Sequence, residues 1–246
     1  MPTPDALSRA AAAVVDLYRA GAEDFIARRS LGLFERPWLD RMLALTPPGR
    51  VLDLGCGAGR PIAAYMARQG RSVEGIDASE ALLAAAAEAL PDQTWRCADM
   101  RSWSPETPGA GVIAWHSLFH LRPAEQAALL TRIGGWLVPG GVLMFTSGGN
   151  AGETLGDWSG APLYHASLDP DGYRAALAAG GLAVSAHVRD DPSTGDATIW
   201  LARKGGTLQA VQGIMAATAR PQRPQRRRAG CAAGAGVVKE HLLLPL

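Results

Sequence analysis

From residue 50 onward the chain alternates short apolar runs with longer segments of helical periodicity. Arg50–Leu54, Ser72–Ile76, Thr94–Cys97, Gly111–Trp115 and Val142–Ser147 read as strands. Between them, Pro61–Gln69, Glu80–Leu90 and Pro123–Trp136 read as helices, with Gly70 as a terminator and the strong helix formers Ala84–Ala87 inside the second. The run Val51–Leu54 is apolar at nearly every position and bounded by glycine, which suits a central parallel strand covered on both faces. Strands alternating with helices predict an α/β fold with a mostly parallel sheet and helices on both faces. Ahead of it, Pro4 to about Arg28 predicts one or two helices, with Val14, Leu17 and Tyr18 at helical spacing and Asp5 near the start. Glu35–Leu45 predicts another, stopped by Pro47-Pro48.

After Ser147 the pattern breaks. Gly148–Ser167 is rich in glycine, serine and proline, holds Trp158, Tyr164 and His165, and reads as a long functional loop. Asp169 caps a helix to Ala179, ended by Gly180-Gly181. Leu182–Val188 and Ala197–Ala202, joined by the turn Pro192–Asp196, predict a C-terminal antiparallel hairpin. From Gly205 the character changes again. Pro221–Arg228, followed by alanine and glycine runs, has little to bury, so residues 205–246 read as a disordered basic tail.

Composition narrows the class. With 246 residues and 48% apolar content, the chain can bury one substantial core. No run of eighteen apolar residues suggests a membrane span, and Met1–Asp5 lacks a secretory pattern. Cys56, Cys97 and Cys231 are odd in number and without metal-ligand spacing, so a reducing cytoplasm and no metal are expected. The net charge of +1 is uneven: residues 207–246 hold six Lys+Arg against one acid, leaving −4 on the rest. A nucleic-acid partner is therefore not expected for the body of the chain.

The most informative chemistry is Asp53-Leu54-Gly55-Cys56-Gly57-Ala58-Gly59, a strand end running into a glycine turn and then a helix. Without Cβ atoms at 55, 57 and 59 the backbone turns sharply and a ligand can lie against it. The turn's N–H groups and the helix end then offer donors to an anion. A dinucleotide fingerprint needs its third glycine one place later, where Arg60 stands, and a P-loop is excluded because no Gly-Lys-Ser/Thr follows. Asp77, about 20 residues on, supplies an acid for a ribose under either nucleoside reading.

With Gly75-Ile76-Asp77-Ala78-Ser79, Ala98-Asp99-Met100 and Leu137-Val138-Pro139-Gly140-Gly141 following in order, the chain resembles class I S-adenosylmethionine-dependent methyltransferases over roughly residues 14–204. Gly59-Arg60-Pro61, Ser117–Leu121 and Tyr164–Ser167 resemble segments of bacterial small-molecule members. The resemblance implies a Rossmann-like sheet (residues 49–204) that binds S-adenosylmethionine, under an N-terminal helical lid (residues 1–48). It implies a cofactor site of Asp53, Gly55, Cys56, Gly57, Asp77, Ala78, Asp99, Met100 and Trp115. Asp77 would meet the ribose, Asp99 and Met100 the adenine, and Trp115 the sulfonium. On the substrate side, His116, His120 and His165 are candidate bases, while Tyr18, Trp158 and Tyr164 are candidate pocket walls. Arg28 is weighed against the cofactor carboxylate, with a solvated helix face as the plainer reading. Cys56 is read as a small filler rather than a nucleophile. The function implied is methyl transfer to oxygen, nitrogen or carbon of a small molecule. The alternatives are an RNA- or protein-directed methyltransferase, a non-catalytic binder of the cofactor, and an NAD-dependent oxidoreductase.

Overall fold

The computed structural model describes residues 2–206; the expected basic tail, apart from Gly205 and Gly206, lies outside the described residues. Seven strands form one sheet in the order β3-β2-β1-β4-β5-β9-β8. They are β1 (Val51–Leu54), β2 (Val73–Asp77), β3 (Thr94–Cys97), β4 (Gly109–Ala114), β5 (Leu137–Ser147), β8 (Leu182–Asp191) and β9 (Ala197–Lys204). The first five are parallel, and β9 runs antiparallel between β5 and the edge strand β8.

Side-chain alternation on the central strands feeds two cores. Leu52, Leu54, Val112, Ala114, Leu143, Phe145, Trp200 and Ala202 face one core, closed by α6 (Pro123–Trp136) and α7 (Pro170–Ala179). Val51, Ile113, Val142, Met144, Ile199 and Leu201 face the other, closed by α3 (Arg36–Leu45) and α4 (Ile62–Arg68). Burial on both faces explains the unbroken apolar runs of the sequence. Helix α5 (Glu80–Ala89) links β2 to β3 and is capped by the Ser79 hydroxyl, which accepts from the Leu82 N–H. No helix among the described residues is long and apolar enough to cross a membrane.

The segment Gly148–Ser167, expected as a loop, is instead a second sheet. β6 (Gly152–Trp158) and β7 (Ala161–Ser167) pair antiparallel from Gly152↔Ser167 to Trp158↔Ala161. Their two-residue turn, Ser159-Gly160, has φ of 52° and 85°, as a type I′ hairpin turn requires. The hydropathy pattern hid it because β6 is exposed at nearly every position and so carries no apolar alternation. β7 buries Leu163, Tyr164 and Ala166 against Ala10 and Val14 of α1 (Pro4–Ala20), making a third small core. Of the helices before residue 49, α1 packs on this hairpin and the short α2 (Ala22–Arg28) touches its tip through Asp24 and Phe25, whereas α3 belongs to the layer under the sheet.

Candidate functional site

Strand order reverses between β1 and β4, so a crevice opens at the carboxyl ends of β1, β2 and β4. A cavity of about 290 Å³ occupies it. Its floor is the glycine turn, where Gly55, Gly57 and Gly59 have φ of 71°, 55° and 70°. A Cβ on Gly55 would meet the Ser117 side chain at 2.5 Å, so only glycine fits that bend.

Four of the turn's amides, expected from the sequence as donors to an anion, are taken by protein acceptors. Gly55 and Cys56 N–H both donate to the Ile76 carbonyl, Gly59 N–H donates to the Cys56 carbonyl, and Gly57 N–H donates to Asp77 Oδ2 at 2.9 Å. The turn folds back onto the end of β2, which takes up the donors of Gly55, Cys56 and Gly57. Asp77 Oδ1 accepts from Ser79 N–H at 2.9 Å, so the carboxylate is held at both oxygens. Each oxygen keeps a second lone pair for a ligand. Burial raises the Asp77 pKa, and these amide donors oppose that shift.

Asp53 stands beside it at the end of β1, 5% exposed and lining the cavity. Burial, and then the Asp77 charge, push its carboxyl up to about 7. The opposing positive charge comes from Arg29, which also lines the cavity. Arg29 follows the last residue of α2 and is oriented by a 3.3 Å contact to buried Glu35. Arg28 shows the solvated helix face that was its plainer reading, and Arg29 is the cation the sequence did not single out. Arg28 is exposed and pairs with Asp24 at 2.8 Å. No pattern of residue types distinguishes these neighbours; the helix end between them does. Cys56 also lines the cavity, and burial together with the two acids keeps its thiol protonated.

Ala78, Asp99, Met100 and Trp115 all reach the cavity. Asp99 is gripped by Arg101, whose backbone N–H and guanidinium donate at 2.6–3.0 Å, and this lowers the Asp99 pKa. Trp115 is 5% exposed, and its indole Nε1 has no hydrogen-bond partner among the described residues.

The roof is aromatic. Tyr18, Phe25 and Trp158 lie with ring centroids 5.6–6.1 Å apart. Phe25, which the sequence did not single out, covers the glycine turn: a Cβ on Gly57 would come within 3.1 Å of its ring. The tip of the β6–β7 hairpin is tied to α2 by Ser159 Oγ donating to Asp24 at 3.0 Å. Tyr164, expected as a pocket wall, is not one. Strand alternation points Leu163 and His165 to the cavity and turns Tyr164 away, where its hydroxyl donates to Glu153 at 2.6 Å.

The three histidines have different roles. His120 Nδ1 lies 2.9 Å from the Tyr164 carbonyl, and its Nε2 lies 3.0 Å from the Tyr18 hydroxyl. A carbonyl only accepts, so Nδ1 carries the proton and Nε2 receives the phenol hydrogen. Both nitrogens are thereby committed, pinning α1, the turn after β4 and the hairpin together. Burial lowers this imidazole to about 4. His116 follows β4 in a left-handed conformation, φ 52°, with its N–H donated to Thr146 Oγ1 at 2.8 Å. A bulky residue at positive φ is uncommon and marks a constrained position. Its ring is open to the cavity but surrounded by protein, which lowers its pKa to about 4. His165 also faces the cavity, and burial lowers its pKa too. Replacing His120 with alanine strands the Tyr164 carbonyl and the Tyr18 hydroxyl. The expected loss of stability is about 1–3 kcal/mol by urea unfolding; an unchanged midpoint would show that the pin contributes nothing.

Comparison with known proteins places this geometry. Residues 51–141 match a family model described as a methyltransferase domain. The chain is 38% identical over 94 residues to a trans-aconitate 2-methyltransferase of Azoarcus sp. (strain BH72), covering 38% of this chain and 36% of that protein. The chain thus spans about a third of the length of this curated relative. Among solved structures it superposes on the CcbJ methyltransferase of Streptomyces caelestis with a TM-score of 0.63 at 17% identity, covering 77% of this chain and 98% of that one. It also superposes on SAM-bound CalS10, an amino pentose methyltransferase of Micromonospora echinaspora, with a TM-score of 0.59 at 23% identity, covering 75% and 96%. These two likenesses establish the fold.

Proposed function

We propose that the chain is a class I S-adenosylmethionine-dependent methyltransferase that transfers a methyl group from S-adenosylmethionine to an oxygen, nitrogen or carbon of a small organic molecule. The observation that carries the reading is electrostatic. Four N–H groups of the glycine turn are taken by protein acceptors, while two buried carboxylates, Asp53 and Asp77, face the cavity. Such a floor repels a pyrophosphate and favours a cation. That fits a ligand with an amine and a sulfonium rather than a dinucleotide.

In this reading Asp77 accepts from the ribose hydroxyls and Asp53 faces the amine. Arg29, held by Glu35, meets the carboxylate. Asp99, with Met100, takes the adenine edge; Arg101 fixes its oxygens, and a carboxylate with about four lone-pair sites retains capacity for an amino hydrogen. Trp115 stands near the sulfonium. When bound, S-adenosylmethionine supplies an electrophilic methyl carbon whose bond to sulfur breaks toward sulfur as the acceptor's lone pair bonds to it. The protein's task is then alignment and exclusion of water by the roof of α1, α2 and the β6–β7 hairpin. Where the acceptor carries a proton, a ring nitrogen of His116 is placed to receive it: His116 remains neutral at working pH, and its ring has no hydrogen-bond partner among the described residues. His120 is committed elsewhere and acts as a positioning residue.

Isothermal titration tests the reading directly. S-adenosylhomocysteine, the demethylated product, is expected to bind with a Kd in the micromolar range, and NAD to show no saturable heat. The reverse ranking would sink it.

A further inference from the structure

The acceptor end of the cavity differs in chemistry from the donor end, and it lies largely outside the matched methyltransferase segment of residues 51–141. Its walls are Val14 and Tyr18 of α1, Phe119 after β4, and Trp158 and Leu163 of the hairpin. Phe119 sits among the histidines, with ring centroids 5.8, 4.8 and 5.3 Å from His116, His120 and His165.

Charge is scarce there. The burial that lowers His116 and His165 keeps both neutral near pH 7, and the Tyr18 phenol is pushed up to about 12. The Arg29 charge is felt at Tyr18 and His116, but Glu35 holds it and the proposed complex assigns it to the cofactor carboxylate; the other lining cations are engaged or stand aside. Arg101 grips Asp99 and reaches Glu125, and Arg60 is exposed beyond the glycine turn. A carboxylate placed among these rings would lose its hydration without gaining a cation. A flat apolar body would gain aromatic contacts on several sides.

Resting on the methyl-transfer reading, we infer that the acceptor is an uncharged small molecule with an aromatic body bearing the hydroxyl or ring N–H to be methylated, and not a polycarboxylate. This separates the chain from the trans-aconitate methyltransferases it resembles in sequence, whose named substrate is a tricarboxylate. The matched methyltransferase segment, residues 51–141, holds the glycine turn, Asp77 and Asp99, whereas Tyr18, Trp158 and Leu163 lie outside it.

The test is equilibrium binding to the full chain with S-adenosylhomocysteine saturating the donor site. The neutral probes are 2-naphthol and indole, and the anionic probes are trans-aconitate and citrate. The neutral pair is expected to bind at least tenfold more tightly. Leu163→Arg, which sets a cation in the apolar wall, is expected to reduce that preference at least tenfold, with S-adenosylhomocysteine affinity reporting that the variant is folded. Equal affinities, or tighter binding of trans-aconitate, in the unmodified protein overturn the inference while leaving methyl transfer standing. Failure of S-adenosylhomocysteine itself to bind overturns the methyl-transfer reading beneath it.

Discussion

Replacing Asp77 with alanine is expected to weaken S-adenosylhomocysteine binding by two to three orders of magnitude. Two effects converge on one carboxylate. In the proposed complex it accepts from both ribose hydroxyls, and hydrogen bonds to a charged group contribute about 1.5–3 kcal/mol each. In the protein alone it accepts from Gly57 N–H and Ser79 N–H, both at 2.9 Å, fixing the glycine turn to the start of α5. Alanine removes the ligand contact and also frees the Gly57 amide. Asp77→Asn separates the two, because the amide oxygen still accepts one of these N–H groups while the charge is lost. An intermediate loss of roughly tenfold is expected for it, the electrostatic share of the site. The measurement is titration calorimetry on each variant, with urea unfolding as the control for the fold. Wild-type affinity in Asp77→Ala would remove the ribose from this position.

The floor of this cavity was legible in the sequence because its constraints are local and stereochemical. Gly55 must bend with positive φ against Ser117, and Asp77 must end a strand paired to β1. Such requirements fix residue type at fixed spacing. The sheet was legible for a similar reason: Leu52 and Leu54 feed one core while Val51 feeds the other, so the strand is apolar throughout. The acceptor half follows no such rule. β6 packs on one partner strand and exposes nearly all its side chains, so its hydropathy resembles a loop. Whether Tyr164 or His165 meets the cavity depends on strand register, which a one-residue shift reverses. Arg29 and Arg28 are the same residue type in sequence; only the exit angle of α2 turns one inward and leaves the other paired with Asp24 in solvent. His120 was a candidate base by residue type, and long-range contacts to Tyr18 and Tyr164 made it a structural pin.

Donor-site affinity is expected to depend on pH through Asp53. In the empty protein this carboxyl is raised to about 7, chiefly by burial and then by Asp77, with Arg29 opposing; Cys56 beside it stays protonated. The unfolded reference is 3.8, so the folded state holds a proton between the two values that the unfolded chain has released. The stabilising contribution is therefore complete below about 3.8 and disappears as pH rises through about 7. A cationic ligand reverses the preference, since it favours the ionised acid. Below pH 7 the ligand must displace that proton, and affinity for S-adenosylhomocysteine should fall about tenfold for each unit of acidification. Between pH 7 and 7.5 it should level off. Calorimetry at pH 6 in two buffers of different ionisation enthalpy should count close to one proton released per ligand bound. Asp53→Asn cannot ionise, so its affinity should be flat across this range and roughly 10–100-fold weaker at pH 7.5, where wild type presents a full charge. The empty Asn variant should also be the more stable protein above pH 7, because it buries no charge beside Asp77, and the difference should shrink toward pH 5. If wild-type affinity stays constant from pH 6 to 7.5, Asp53 does not face the ligand's cation, and the electrostatic case for this floor fails with it.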